Sequence, residues 1–334
     1  MAGVSYSMPA IFLKPWNKKV IEMGVDNREG RGNWAGLALE NMDQRPYDVA
    51  IVGVPYDNSV CCRKGAALAP KRIREISRFV PPVLDTGEVL ELFVKDFGDI
   101  QVDPLFNTTF QRIDECLSDK LLKSFLLTVG GDHSISIPIF NLLSKLSNGS
   151  IGIIYLDAHT DLSDTFDGSP FSHACPLRRA LDNQNIRPEN VLLVGTRSFE
   201  IEPLRFIEKH NIKTYTPDVI MERGMKDIAR EVVVRLEGIE NIYLSIDIDV
   251  LDPAYAPGTG IPEAGGISTL DLVTFIRGLD GLNIVAADLV EVSPPLDVND
   301  ITSFAALRII KEIFGMVHRK KVLSMNKRGG DGLW

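Results

Sequence analysis

The sequence predicts an α/β protein built on a mainly parallel sheet covered by helices on both faces. Three observations carry this. The apolar runs Asp48 to Val54, Ser124 to Val129 and Ile151 to Leu156 lack polar alternation, as strands buried on both faces do. Strand-like and helix-like stretches alternate along the chain. The polar clusters fall just past the strands, at the carboxyl ends where such sheets bind ligands.

Taken in order, residues 1–45 are irregular, with Pro9, Pro15 and a Gly/Arg/Asn-rich segment from Asn27 to Trp34, and read as an arm or cap. After the strand from Asp48, the stretch Arg63 to Arg74 is a loop opening into a helix, with Pro70 suited to the first turn. Val94 to Asp99 reads as a short strand, and 109–123 as a helix feeding the strand from Ser124. Ile139, Leu142, Leu143 and Leu146 recur at i, i+3, i+4 and i+7, one apolar helix face. Strands follow at 151–156, 190–197, 241–247 and 283–291. Helices are expected at 202–209, around Met225 to Leu236, at 268–279 and at 303–317. The basic, Gly-rich residues 319–334 read as a tail. No shift in composition divides residues 46–318, so they are expected to form a single domain.

The 334 residues are 45% apolar and 24% charged, as in a soluble globular protein, and carry a net charge of −9. An acidic chain lacks the basic face that nucleic acid requires. No apolar stretch approaches a membrane span. Met1 to Ser7 shows neither a basic nor an apolar leader region, so a cytoplasmic location is expected. Cys61, Cys62, Cys116 and Cys175 show no C-x-x-C spacing, suit a reducing compartment and read as mostly inert.

The chemistry sits at strand ends. Asp157, His159 and Asp161 repeat every second residue beyond the strand from Ile151, so extended geometry would send all three to one face. Asp247 and Asp249 repeat the device. With His133, in the tight turn Gly130-Gly-Asp-His-Ser, these make six potential metal ligands. Carboxylates mixed with imidazoles suit Mn²⁺, Zn²⁺, Ni²⁺ or Fe²⁺, and the absence of thiolates disfavours a structural zinc. Six ligands exceed the need of one open catalytic metal and fit two metals that share carboxylates and activate a hydroxide. Two divalent ions against four aspartates and a hydroxide leave −1, which favours a cationic or neutral substrate over a phosphate ester.

Gly130-Gly-Asp-His-Ser, Asp157-Ala-His-Thr-Asp and Ser245-Ile-Asp-Ile-Asp-Val-Leu-Asp-Pro253 resemble the three signatures of the ureohydrolases, the arginase and agmatinase family. Arg63 to Arg74, Ala256 to Glu263 and Val290 to Pro295 are similar to the agmatinase-like branch, and the resemblance spans residues 48–317. It implies the arginase-like fold, a three-layer αβα sandwich with an eight-stranded sheet, and a binuclear manganese centre, nickel being an alternative. By that likeness His133, Asp157, Asp161 and Asp247 hold one metal. His159, Asp157, Asp247 and Asp249 hold the other, with Asp157 and Asp247 bridging. Glu291 resembles the carboxylate that pairs with a substrate guanidinium, and a planar guanidinium suits such a bidentate partner. His173 resembles a loop histidine that shuttles protons, although Ala174 stands where the family usually has glycine. Asp161 is implied as the route by which the leaving amine is protonated.

The expected reaction is hydrolysis of a small cationic guanidino compound to urea and an amine, agmatine to putrescine being favoured. Ser163 and Asp164 are candidate contacts for its free amino end. Guanidinobutyrate, guanidine and arginine are alternative substrates on the same residues. A deacetylase-like amide hydrolase and a non-catalytic ligand-binding protein are the readings from other classes. The family resemblance also implies a homo-oligomer, a trimer or hexamer.

Overall fold

The computed structural model describes residues 32–38, 46–121 and 123–330. Its centre is an eight-stranded sheet in the order β2-β1-β3-β8-β7-β4-β5-β6, in which all seven pairings are parallel. The strands are β1 (Val49–Val54), β2 (Val94–Asp99), β3 (Phe125–Gly130), β4 (Ile151–Leu156), β5 (Ile186–Val194), β6 (Lys213–Tyr215), β7 (Asn241–Asp247) and β8 (Ile284–Val290). Every residue of β1, β3 and β4 is buried, which is why these strands show no polar alternation.

Successive residues of a strand face opposite ways, so each strand feeds two apolar layers. Val49 and Ile51 enter one, with Ile73 of α1 (Ala69–Ser77), Ile228 of α7 (Met225–Arg235), Phe275 of α8 (Thr269–Gly278) and Phe314 of α9 (Ile301–Gly330). Ala50 and Val52 enter the other, with Ile113 of α2 (Phe106–Leu121), Phe140 of α3 (Ser136–Leu146) and Ile207 of α5 (Ile201–His210). Each fully buried Ile or Phe contributes roughly 1.5–3 kcal/mol of transfer free energy. The result is the expected three-layer αβα sandwich.

The structure adds elements that periodicity did not reveal. β6 is three residues long with only Tyr215 buried, too short and too polar to read as a strand. Two short helices, α4 (Pro176–Ala180) and α6 (Pro217–Arg223), each open on a proline. The last helix does not stop near Val317. It continues to Gly330 through residues read as tail, where Arg319 bonds Asp280 at 2.7 Å and Glu88 at 3.0 Å, and Lys321 bonds Asp48 at 2.8 Å. Of the expected N-terminal arm, only residues 32–38 are described. There the fully buried Trp34 donates its indole N–H to Asp96 at 2.6 Å.

Candidate metal centre and substrate cavity

The expected ligands leave the carboxyl ends of adjacent strands. His133 follows β3, Asp157 to Asp161 follow β4, and Asp247 ends β7, while Glu291 follows β8; these four strands lie side by side as β3-β8-β7-β4. Chain segments far apart in sequence therefore meet along one edge of the sheet.

The convergence of Asp157, His159 and Asp161 is real, but extended geometry is not its cause. The chain bends after β4, and Asp161 takes a left-handed φ of 50°. The Asp157 carboxylate accepts the backbone N–H of His159 at 2.6 Å, and Tyr155 Oη donates to Asp161 Oδ2 at 2.8 Å. After β7 a tight turn does similar work, with Asp247 Oδ1 accepting Asp249 N–H at 2.9 Å.

Two overlapping donor groups result. His133, Asp157 and Asp247 form one; Asp157, His159 and Asp249 form the other, so Asp157 is common to both. Nδ1 of His133 lies 3.1 Å from Asp157 Oδ2 and 3.2 Å from oxygens of both Asp161 and Asp247. Nδ1 of His159 lies 2.9 Å from Asp249 Oδ2.

The protonation of His133 shows what this arrangement requires. Ser245 Oγ donates its one hydrogen to Asp288 Oδ1 at 2.8 Å, so at 2.9 Å it accepts from His133 Nε2–H. Nδ1 thus turns toward three carboxylates. One proton there serves a single oxygen at a time, whereas a divalent cation serves all of them. Burial opposes charge on His133, yet Asp157, Asp161 and Asp247 raise its pKa well above the ordinary histidine range. Burial, then the charges of Asp161 and Asp249, push Asp157 up to about 6, and burial with Asp249 and Asp157 raises Asp247. Asp157 Oδ2 is buried without a hydrogen bond. Uncompensated buried carboxylates cost several kcal/mol each. These residues fit divalent cations, and the absence of thiolates with the presence of imidazoles is the donor chemistry of a catalytic centre.

Asp288 is a support that strand periodicity missed. It is fully buried in β8 and accepts from Ser245, Tyr243 Oη at 2.9 Å, Ile246 N–H at 3.2 Å and Ser136 Oγ. A carboxylate in the middle of an apolar strand was the signal that could have found it.

A cavity of about 240 Å³ opens over the donor groups. Glu291 stands at its floor with a left-handed φ of 61°, a strained conformation worth on the order of 1–2 kcal/mol for a residue with a Cβ. Its Oε1 accepts His133 N–H at 2.9 Å and lies 3.4 Å from His173 Nδ1. Burial works against charge on His173, but the bond and charge of Glu291 push it up to about 10. The charged ring competes with the 3.3 Å contact between Cys61 N–H and Nε2. The Nδ1 proton faces Glu291 in the neutral and the charged ring alike, so the Cys61 contact is lost only when Nε2 is protonated as well.

The loop carrying His173 is pinned by Phe171, which stacks on Phe106 of α2 at 4.6 Å. Ala174 lies in this wall and is not among the residues of positive φ, so alanine in place of glycine strains nothing. Ser163 and Asp164 do not reach the cavity. Ser163 is buried with its N–H on Ala174 carbonyl oxygen, and Asp164 is exposed, pairing with Arg179 at 2.8 Å. Arg178 and Arg179, on the helix after the loop, draw that acidic group outward. The cavity instead takes Arg63, Phe166, Glu200 and Glu263. These come from four separate loops, and no spacing in the sequence joins them.

Fold and centre together define a metal-dependent hydrolase. The model of the arginase family matches residues 47–315. An agmatinase of Bacillus anthracis is 40% identical over 275 residues, 80% of this chain and 90% of that protein. The mitochondrial guanidino acid hydrolase of Homo sapiens is 36% identical over 274 residues, 80% of this chain and 77% of that one. The solved structure of proclavaminate amidinohydrolase from Streptomyces clavuligerus superposes with a TM-score of 0.76 at 32% identity, covering 83% of this chain and 93% of the other. The chain belongs to the arginase family and is a metal-dependent amidinohydrolase.

Proposed function

We propose that the protein hydrolyses agmatine to urea and putrescine, using two Mn²⁺ ions. Similarity to an agmatinase supports the reaction class, and the cavity supports the substrate. Glu200 and Glu263 line it, and among the described residues neither carboxylate forms a hydrogen bond or ion pair. Two acidic groups without a hydrogen bond or ion pair, Glu263 feeling only the nearby charge of Arg197, suit an ammonium at the far end of the substrate, and this observation carries the choice of agmatine.

His133, Asp157, Asp161 and Asp247 would hold one ion, and His159 and Asp249, with Asp157 and Asp247 shared, the other. When bound, the pair supplies Lewis-acid activation of the attacking water. Glu291 receives the guanidinium N–H groups and orients its carbon over the donor groups. Gly260 borders this floor: a Cβ there would lie 3.8 Å from Glu291 Oε2, so its absence leaves room for a planar group. Asp161 would carry a proton to the leaving amine, and His173 would separately exchange protons between the cavity and solvent.

One observation favours a second substrate class. Arg63 lines the same cavity and spends its guanidinium on backbone carbonyls, Gly260 at 2.9 Å and Thr259 at 3.3 Å, rather than on a carboxylate. A guanidino acid would pair with it, and one relative is a guanidino acid hydrolase. Urea release from agmatine, arginine, guanidinobutyrate and guanidine, with Mn²⁺ or Ni²⁺ added to apoprotein, separates these readings. Agmatine with Mn²⁺ is the expected best pair. No urea from any of them under either metal would sink the proposal.

The same reading carries a trimer or hexamer and a cytoplasmic location. Their support is the family resemblance and the thiol content; no described helix is long and apolar enough to cross a membrane. Sedimentation of the metal-loaded protein tests the assembly.

A further inference from the structure

The cavity's rim holds a feature outside the hydrolytic machinery. Cys61 and Cys62 are adjacent, both are exposed free thiols, and both line the same cavity as His133, His159, Asp247 and Asp249. Their segment is laced to the histidine loop. Cys61 N lies 3.3 Å from His173 Nε2, Ser172 Oγ donates to Ser59 carbonyl oxygen at 3.4 Å, and His173 N–H approaches that oxygen at 3.5 Å. Ser59 N–H in turn donates to the buried Asp132 at 2.8 Å. Bulk added at Cys61 or Cys62 therefore meets both the substrate path and the backbone that touches His173.

We propose that the Cys61–Cys62 pair is a thiol–disulfide exchange site whose modification by a low-molecular-weight disulfide closes the active-site cavity. A cysteine sulfur, having given up its proton, attacks one sulfur of the disulfide. The new S–S bond forms as the old one breaks, and the departing thiolate takes up the proton. No other oxidant is needed. The neighbouring thiol does not readily expel the adduct. Consecutive Cα atoms lie ~3.8 Å apart across a trans peptide, closer than the roughly 4.4–6.8 Å that an unstrained disulfide spans. Resolution into a Cys61–Cys62 disulfide is thus strained, and the mixed disulfide persists until an external thiol removes it. The other cysteines are poorer targets, Cys175 being buried and Cys116 half-buried.

The test uses the metal-loaded full-length protein with oxidised glutathione as the probe. Intact mass and peptide mapping follow the adduct, and urea release is measured in parallel. The expected result is one glutathione per chain at Cys61 or Cys62, at least a tenfold fall in urea release in step with it, and recovery on adding dithiothreitol. A saturating guanidino substrate slows the adduct at this pair. Cys61→Ser and Cys62→Ser, singly and together, are each compared with and without the probe, so their basal rates do not enter. The double variant loses the sensitivity. Adducts confined to Cys116 or Cys175, an adduct at the pair that leaves urea release unchanged, or equal inhibition of the double variant would each overturn the proposal. The mass readout is independent of turnover, so it stands whichever substrate the enzyme prefers.

Discussion

Glu291 Oε1 accepts the backbone N–H of His133 at 2.9 Å and lies 3.4 Å from Nδ1 of His173. One carboxylate oxygen thereby joins the strand end that carries His133 to the loop that carries His173. The strained φ of Glu291 is what aims it there.

Glu291→Gln keeps the shape and removes the charge. The substitution gives up a charge-assisted contact of about 1.5–3 kcal/mol, and kcat/KM for a guanidino substrate is expected to fall roughly 10- to 150-fold. Metal content measured by atomic emission stays unchanged, because Glu291 is not among the donor groups. A variant that loses its metal would show that Glu291 acts on the centre instead.

Asp247→Asn is expected to lose both metal and turnover, since Asp247 faces His133 Nδ1 at 3.2 Å within one donor group. Calorimetric titration with Mn²⁺ reads the binding and urea release reads the activity. Turnover retained without metal would contradict the centre.

Ser245→Ala cuts the relay from Asp288 through Ser245 to His133. The ring then loses the partner that fixes its tautomer, and a weakening of metal affinity by roughly 10- to 100-fold is expected. Folding should also suffer, by about 1–3 kcal/mol for the buried group left unpaired. Ser245→Thr retains a hydroxyl, so recovery of affinity in that variant distinguishes the relay from simple loss of packing.

Metal binding carries a pH dependence of definite sign. The Asp157 carboxyl, raised to about 6 by burial and then by Asp161 and Asp249, must lose its proton before it can bind a cation. The proton and the metal compete, so affinity falls as pH drops through about 6, and it keeps rising above that pH because His133 Nδ1, held well above the ordinary histidine range by its three carboxylates, must give up its proton too. Burial raises Asp247 as well and pushes the same way. Apparent Mn²⁺ affinity measured from pH 5 to 8 checks this, and an affinity that rises toward acid would refute it.

Glu200→Gln combined with Glu263→Gln tests the far end of the substrate. Exposed ion pairs are worth about 0.2–1 kcal/mol each, so loss of both is expected to raise KM for agmatine roughly 2- to 30-fold, while guanidine, which has no second end, is unaffected. A fall in KM for guanidinobutyrate in the same variant would shift the assignment toward the Arg63 reading.

The sheet and the candidate metal donors were legible in the sequence because both depend on local patterns. Buried strands such as β1 and β4 show continuous apolar runs, and Asp157, His159, Asp161, Asp247 and Asp249 sit where those runs end. The backbone path after β4 was not legible, since the left-handed Asp161 is an ordinary aspartate in sequence. The outer cavity was not legible either. Arg63, Phe166, Glu200 and Glu263 reach it from loops after different strands, while Asp164, adjacent to the centre in sequence, is drawn away by Arg179. Chemistry at strand ends is written in short motifs; selectivity is set by which loops meet above them.

A two-metal amidinohydrolase makes a stoichiometric demand that a single titration reads. Apoprotein is titrated with Mn²⁺ while urea release from agmatine is recorded. The two overlapping donor groups predict activity that rises to a plateau at two equivalents per chain. A plateau at one equivalent, or full activity without metal, would rule out the two-metal centre.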